Sequence, residues 1–197
     1  MGEGAEIRAS SDGKNVLRGY ALKWDQSYSM GWFTESISRS ALSNADLTDV
    51  RALLNHDPNV VLGRTTSGTS RLTTDDTGLL YEVDLPDTTA ARDLAVSVSR
   101  GDISQSSWGF MLRVDENNTG DNWTSRDGKD HRTITGVSRV FDVSAVTFPA
   151  NPGTEVAKRS FDLAHEAEAE AEKEKTLNLR SAQVRVLLAQ YPNKNEL

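Results

Sequence analysis

Cysteine is absent from this chain of 197 residues, which removes disulfide frameworks, Cys-ligated zinc and cysteine nucleophiles together and suits a reducing compartment. A surplus of basic charge is absent as well. The 22 Lys and Arg are outnumbered by 29 Asp and Glu, for a formal charge of −7, so the clustered cations that phosphate recognition needs are not there and nucleic acid is not an expected partner. Long hydrophobic runs are missing: no stretch approaches the roughly 18 apolar residues of a membrane span. The N-terminus shows no basic segment leading into an apolar run, and a soluble, unexported protein with no membrane partner is expected. Histidine is scarce, at three residues.

What remains is enough apolar content, 37%, for one well-packed domain. Glu6 to Ala9 and Asn15 to Leu22 read as strands around a Ser-Asp-Gly turn, and Leu79 to Leu85 alternates as a strand should. Val50 to Leu54 reads as a buried strand that runs straight into His56. Thr88 or Thr89 caps a helix through about Ser99, with Leu94 and Val98 on one face and Gly101 at its end. Ser107 falls on or just before a strand from Trp108 to Val114, Asp115 to Asp130 reads as a long exposed loop, and Arg132 to Val137 and Val140 to Phe148 read as strands. A total of about seven strands to one helix predicts a β-rich α+β body, a barrel or a sandwich. Beyond Asp162 the composition shifts to Ala, Glu and Lys, so residues 1–162 are expected to form the folded domain and 163–197 a charged helical tail.

Three stretches carry candidate chemistry. Leu54-Asn55-His56-Asp57-Pro58-Asn59 supplies a histidine, Ser106-Ser107-Trp108-Gly109-Phe110 a serine, and Asp142-Val143-Ser144 an acid before Thr147-Phe148-Pro149-Ala150. Hydroxyl nucleophiles need a base within hydrogen-bond reach and a third group that fixes the tautomer of that base, and these segments supply each role once. Gly109, two residues after Ser107, permits the close backbone approach that an oxyanion hole requires. Gln105 precedes Ser106, so the segment is not a nucleophile elbow with glycine on both sides. Asp57 adjoins His56 but points to the opposite face of an extended backbone, and reads as a turn residue.

These motifs, together with Leu62-Gly63-Arg64, Gly19-Tyr20-Ala21, Phe33-Thr34-Glu35 and the run from Gly101 through Phe110, resemble the prohead maturation proteases of tailed bacteriophages over roughly residues 6 to 155. The resemblance implies a fold similar to the herpesvirus capsid protease, a β-barrel with a few surrounding helices. It implies a serine endopeptidase that cuts scaffold protein or capsid-protein propeptides, and itself, inside the immature prohead in the host cytoplasm, with no metal or organic cofactor. Carried over by position, His56 is the general base, Ser107 the nucleophile and Asp142 the third member. Ser104 and Ser106 stand as rival nucleophiles, because Gln105 and Ser106 replace the Gly and the Met or Leu usual before the reactive serine. His131 is the rival third member, since herpesvirus proteases use a second histidine. Those relatives act as dimers, and the apolar positions of residues 177 to 191 suit a homodimer or a capsid contact equally. A catalytically silent assembly protein, or a protease fused to a scaffold segment, is the alternative reading.

Overall fold

The computed structural model describes residues 6–9, 15–115, 119–126 and 128–148, with Lys173 and Lys175. The chain divides into two units, residues 1–153 and 154–197. Apart from Lys173 and Lys175, which are helical, the expected charged tail lies outside the described residues.

Among the described residues of the first unit, twelve strands and one helix follow one another: β1 (Glu6–Ala9), β2 (Asn15–Lys23), β3 (Tyr28–Ser29), β4 (Phe33–Ile37), β5 (Arg51–Leu54), β6 (Asp57–Arg64), β7 (Ser70–Thr74), β8 (Gly78–Asp84), α1 (Thr89–Arg100), β9 (Gln105–Leu112), β10 (Asp121–Arg126), β11 (Lys129–Ile134) and β12 (Val137–Val146). They form three sheets of four strands, ordered β1-β2-β8-β7, β10-β11-β4-β3 and β6-β5-β12-β9. The expected hairpin is present, with Ile7 opposite Leu17. Two parallel pairings, β4 with β11 and β5 with β12, splice together segments far apart in sequence.

The β-rich class holds, whereas the expected closed barrel does not: among the described residues each sheet is open and α1 is the single full helix. Closure needs a backbone ladder that continues from sheet to sheet. Here the first and third sheets meet through side chains, as where Tyr81 Oη on β8 lies 2.8 Å from Ser106 Oγ on β9. No helix among the described residues is long and apolar enough to cross a membrane.

Local chemistry accounts for α1. Thr88 accepts a hydrogen bond from the Ala91 N–H, and Gly101, at φ 83°, closes the other end in the left-handed region that glycine enters at no steric cost. Ala91, Leu94, Ala95 and Val98 recur at helical spacing and are buried. Ala91, Leu94 and Val98 join a core that includes Leu17, Leu79, Tyr81, Val83, Val140, Val143 and Ala145. Burial pushes the Tyr81 phenol up to about 12, against the opposing effect of its bond to Ser106, so the ring remains neutral at physiological pH.

The second sheet hides charge in its interior. Arg132 on β11 donates through Nε to Asp121 Oδ2 at 2.7 Å and through Nη1 to Glu35 Oε2 at 3.1 Å. All three side chains are less than a tenth exposed. One cation thus serves two buried carboxylates, and Glu35 titrates above its usual range because burial disfavours its charge, Arg132 opposes that, and Asp121 adds to it. Since the folded state holds this proton more tightly than the unfolded chain, Glu35 makes stability fall as pH rises above its ordinary value of 4.5. Glu35→Gln should flatten that dependence and keep the domain folded. Arg132→Met, which takes their shared cation from both carboxylates, should cost about 3–5 kcal/mol. Urea unfolding of both variants between pH 4.5 and pH 8 checks the pair, and an Arg132→Met chain as stable as the original would refute the account.

Candidate active site

His56 owes its position to a hairpin. Leu54 on β5 pairs with Asp57 on β6, leaving Asn55 and His56 as a two-residue loop with φ of 53° and 58°. Positive φ at both positions is the mark of the type I′ turn, whose twist matches that of the flanking strands. Asn tolerates this region and His is enriched there relative to bulkier residues. The turn is tied to the end of β12: the Asn55 N–H donates to the Ala145 carbonyl at 2.9 Å, and the Asn55 side chain and Thr147 exchange hydrogen bonds of 2.8 and 3.2 Å. Asp57 turns to Asn59, accepting from its backbone N–H at 2.8 Å, as expected of a turn residue.

Asp142 reaches His56 because β12 is irregular. Val140 pairs with Phe110 but Asp142 pairs with Gly109, which leaves Phe141 as an extra residue on β12. A bulge of this kind reverses the alternation of side chains. Val140 is therefore in the core, while Asp142, two residues on, emerges on the opposite face. Its Oδ1 lies 2.6 Å from His56 Nδ1. Gly109 gives the carboxylate room, since a Cβ there would stand 2.2 Å from Asp142 Oδ2. The close approach that Gly109 allows is taken up in part by the Asp142 carboxylate. Arg139 is drawn away to Asp46 and Asp49, and Asp49, held chiefly by hydrogen bonds from Arg64, titrates down at about 2.

Ser107 lies within β9, directly opposite Ser144 of β12, two pairs along from Gly109 and Asp142. Opposed residues of an antiparallel pair share a face, so Ser107 and Asp142 lie on the same side of the sheet. Among the described residues the Ser107 hydroxyl has no hydrogen-bond partner, His56 included. Ser106 faces the other way, to Tyr81, in line with Trp108 and Phe110, whose stacked rings, 4.0 Å apart, pack on the core. Ser104 is exposed and precedes the strand. His131 belongs to the second sheet, where Nδ1 meets Thr34 Oγ1 at 2.8 Å and Nε2 meets Ser36 Oγ at 2.9 Å. Both of its ring nitrogens are occupied by hydroxyls, and neither faces His56.

One participant had no signal in the sequence. Ser144 is fully buried and donates to Asp142 Oδ1 at 2.7 Å, yet in sequence it looks like any strand serine. The pair it supports has plain chemical capacity. An ionised carboxylate only accepts, so the hydrogen between it and the ring sits on His56 Nδ1 and the Nε2 lone pair remains to take a proton. Among the described residues no three His, Asp or Glu side chains converge as a metal site would require. A groove of about 910 Å³ near Leu62, Arg64, Pro86 and Arg92 contains none of His56, Ser107 or Asp142.

A family model described as caudovirus prohead serine protease matches residues 3–168. No curated protein and no solved structure matches the chain.

Gly109→Ala is the local test of this geometry. The added methyl has to displace the Asp142 carboxylate, and overpacking of this order costs about 1–3 kcal/mol. Gly136→Ala is the control, since its Cβ would meet nothing nearer than 3.5 Å. Chemical unfolding should separate the two variants, and a Gly109→Ala chain as stable as the control would contradict the packing described.

Proposed function

The chain belongs to the caudovirus prohead serine protease family, and we propose that it is a capsid maturation endopeptidase in which Ser107 is the nucleophile, His56 the general base and Asp142 the group that orients that base. The observation that carries the reading is the 2.6 Å contact between His56 Nδ1 and Asp142 Oδ1, on the sheet face that Ser107 shares. Ser107 Oγ attacks the scissile carbonyl and gives its proton to His56 Nε2. Asp142 stabilises the resulting imidazolium, which then protonates the departing amine. Water repeats the sequence on the acyl-enzyme. The hydrogen bond from Ser107 to His56 forms in the complex with substrate, where such bonds tighten.

The substrates are extended segments of scaffold protein or capsid-protein propeptide, and of the chain itself, cut inside the prohead. β9 is the outermost strand of its sheet, and an extended peptide can lie along an open strand edge with main-chain groups for recognition. Residues 1–162 hold every proposed catalytic group. Residues 163–197, rich in Ala, Glu and Lys, direct the enzyme into the shell, as a targeting or self-removed segment.

Ser107→Ala should abolish cleavage of a capsid-derived peptide and leave thermal stability nearly unchanged. A variant that still cuts removes Ser107 from the mechanism. Asp142→Asn should lower turnover at least about 100-fold, because a neutral amide cannot stabilise the imidazolium and can hold the wrong tautomer. His131→Ala should leave turnover close to that of the unmodified chain, and a larger loss there than at Asp142 would favour a two-histidine arrangement. Truncation after Asp162 should preserve peptide cleavage and abolish incorporation into assembling shells. Packaging that survives while cleavage is lost would show that the tail belongs to the catalytic fold.

A further inference from the structure

We infer that Ser144 is a positioning residue of this site: from beneath the His56–Asp142 pair, its hydroxyl holds the Asp142 carboxylate that decides which nitrogen of His56 carries the hydrogen, and with it which way the ring faces. The inference rests on the proposed roles of His56 and Asp142, but its geometry stands apart from them.

A hydroxyl has one hydrogen to donate and two lone pairs with which to accept. Three groups surround Ser144 Oγ: Asp142 Oδ1 at 2.7 Å, the His56 backbone N–H at 3.3 Å and His56 Nδ1 at 3.4 Å. The carboxylate can only accept, so the hydroxyl hydrogen goes to Asp142. Both lone pairs then face His56. The ring nitrogen therefore meets two acceptors, Asp142 Oδ1 at 2.6 Å and Ser144 Oγ at 3.4 Å, and carries the hydrogen itself. Nε2 is left as the basic nitrogen.

The same hydroxyl serves the backbone. His56 holds a left-handed conformation, at φ 58°, which is strained for a non-glycine residue and persists only where its surroundings determine it. Acceptance of the His56 N–H by Ser144 is one such determinant, and the bonds from Asn55 to Ala145 and Thr147 are the others. Across the sheet Ser144 stands between Leu53 of β5 and Ser107 of β9, in the row that joins the hairpin bearing His56 to the strand bearing Ser107. Being fully buried, it is out of reach of a peptide and cannot be the group that attacks. A buried hydroxyl without partners would be costly; this one has its donor and both lone pairs engaged by the two residues of the proposed catalytic pair.

The test combines ¹⁵N NMR of the histidine ring, recorded on the full chain at about pH 8 where a neutral imidazole prevails, with steady-state kinetics on a peptide substrate. In the unmodified chain His56 should show the Nδ1–H tautomer. Ser144→Ala should give a mixture of tautomers and lower kcat about tenfold, the size expected for one lost hydrogen bond to a charged group, with KM little changed. Ser144→Thr keeps the hydroxyl and adds a methyl. If the hydroxyl is what matters, Thr should retain the Nδ1–H tautomer. If Ser144 only fills space, Thr should disturb the site at least as much as Ala. Ser106→Ala, one residue from Ser107 but bonded to Tyr81 on the other face, should leave the tautomer unchanged. A pure Nδ1–H tautomer in Ser144→Ala would overturn the inference, even in a fully active enzyme. Because the tautomer is read without substrate, failure of Ser107 as the nucleophile would leave that measurement standing.

Discussion

The hydrogen bond between His56 Nδ1 and Asp142 Oδ1, at 2.6 Å, is the constraint around which the third sheet is built. Three local departures from regular structure serve it. The β5–β6 hairpin turns on two residues with positive φ and so presents His56 at its tip. The extra residue at Phe141 brings Asp142 out on the face opposite Val140. The missing side chain at Gly109 leaves space for the carboxylate. Each departure costs something on its own, and each is offset by the regular pairs around it, chiefly the parallel ladder of β5 and β12.

β9 shows how a packed core can orient chemistry without touching it. Ser106, Trp108 and Phe110 face inward, where Ser106 bonds to Tyr81 and the two rings stack. Ser107 and Gly109 therefore face outward to the row of Ser144 and Asp142. With every second residue anchored, the strand cannot rotate to exchange Ser106 for Ser107. Side chains placed by rigid elements keep their geometry better than side chains on loops. That is a physical reason to prefer Ser107 over its neighbours as the proposed nucleophile, independent of motif spacing.

The contrast between what could and could not be read from the sequence has one main cause. Strands with apolar buried faces, such as β2 and β8, and a helix with ordinary caps were plain from their periodicity. β10 was hidden in a segment that reads as a loop, and β4 (Phe33–Ile37) breaks its apolar alternation with Glu35. Both carry a charged residue where an apolar one would sit: Asp121 on β10 and Glu35 on β4, bonded to Arg132 on β11. A buried ion cluster erases the alternation by which strands are recognised. β6 and β7 escaped notice because neither alternates cleanly: Pro58, Asn59 and Val61 are exposed on β6, and hydroxyl residues make up most of β7, with Thr73 and Thr74 exposed. The candidate site was more legible than the sheets, since His56, Ser107 and Asp142 each lie in a distinctive run. Ser144 and the bulge at Phe141 were not, because neither a buried serine nor an inserted strand residue has a signature in sequence.

Reaction of the purified chain with a fluorophosphonate, followed by peptide mapping of the modified residue, tests the central claim most directly. Such a reagent is attacked by a serine only when a base draws off its proton, so it reports activation, and mapping reports which hydroxyl is activated. The account predicts a single adduct on Ser107, lost when His56 is replaced by Ala. An adduct on Ser104 or Ser106, or a folded chain that is not modified at all, would contradict it.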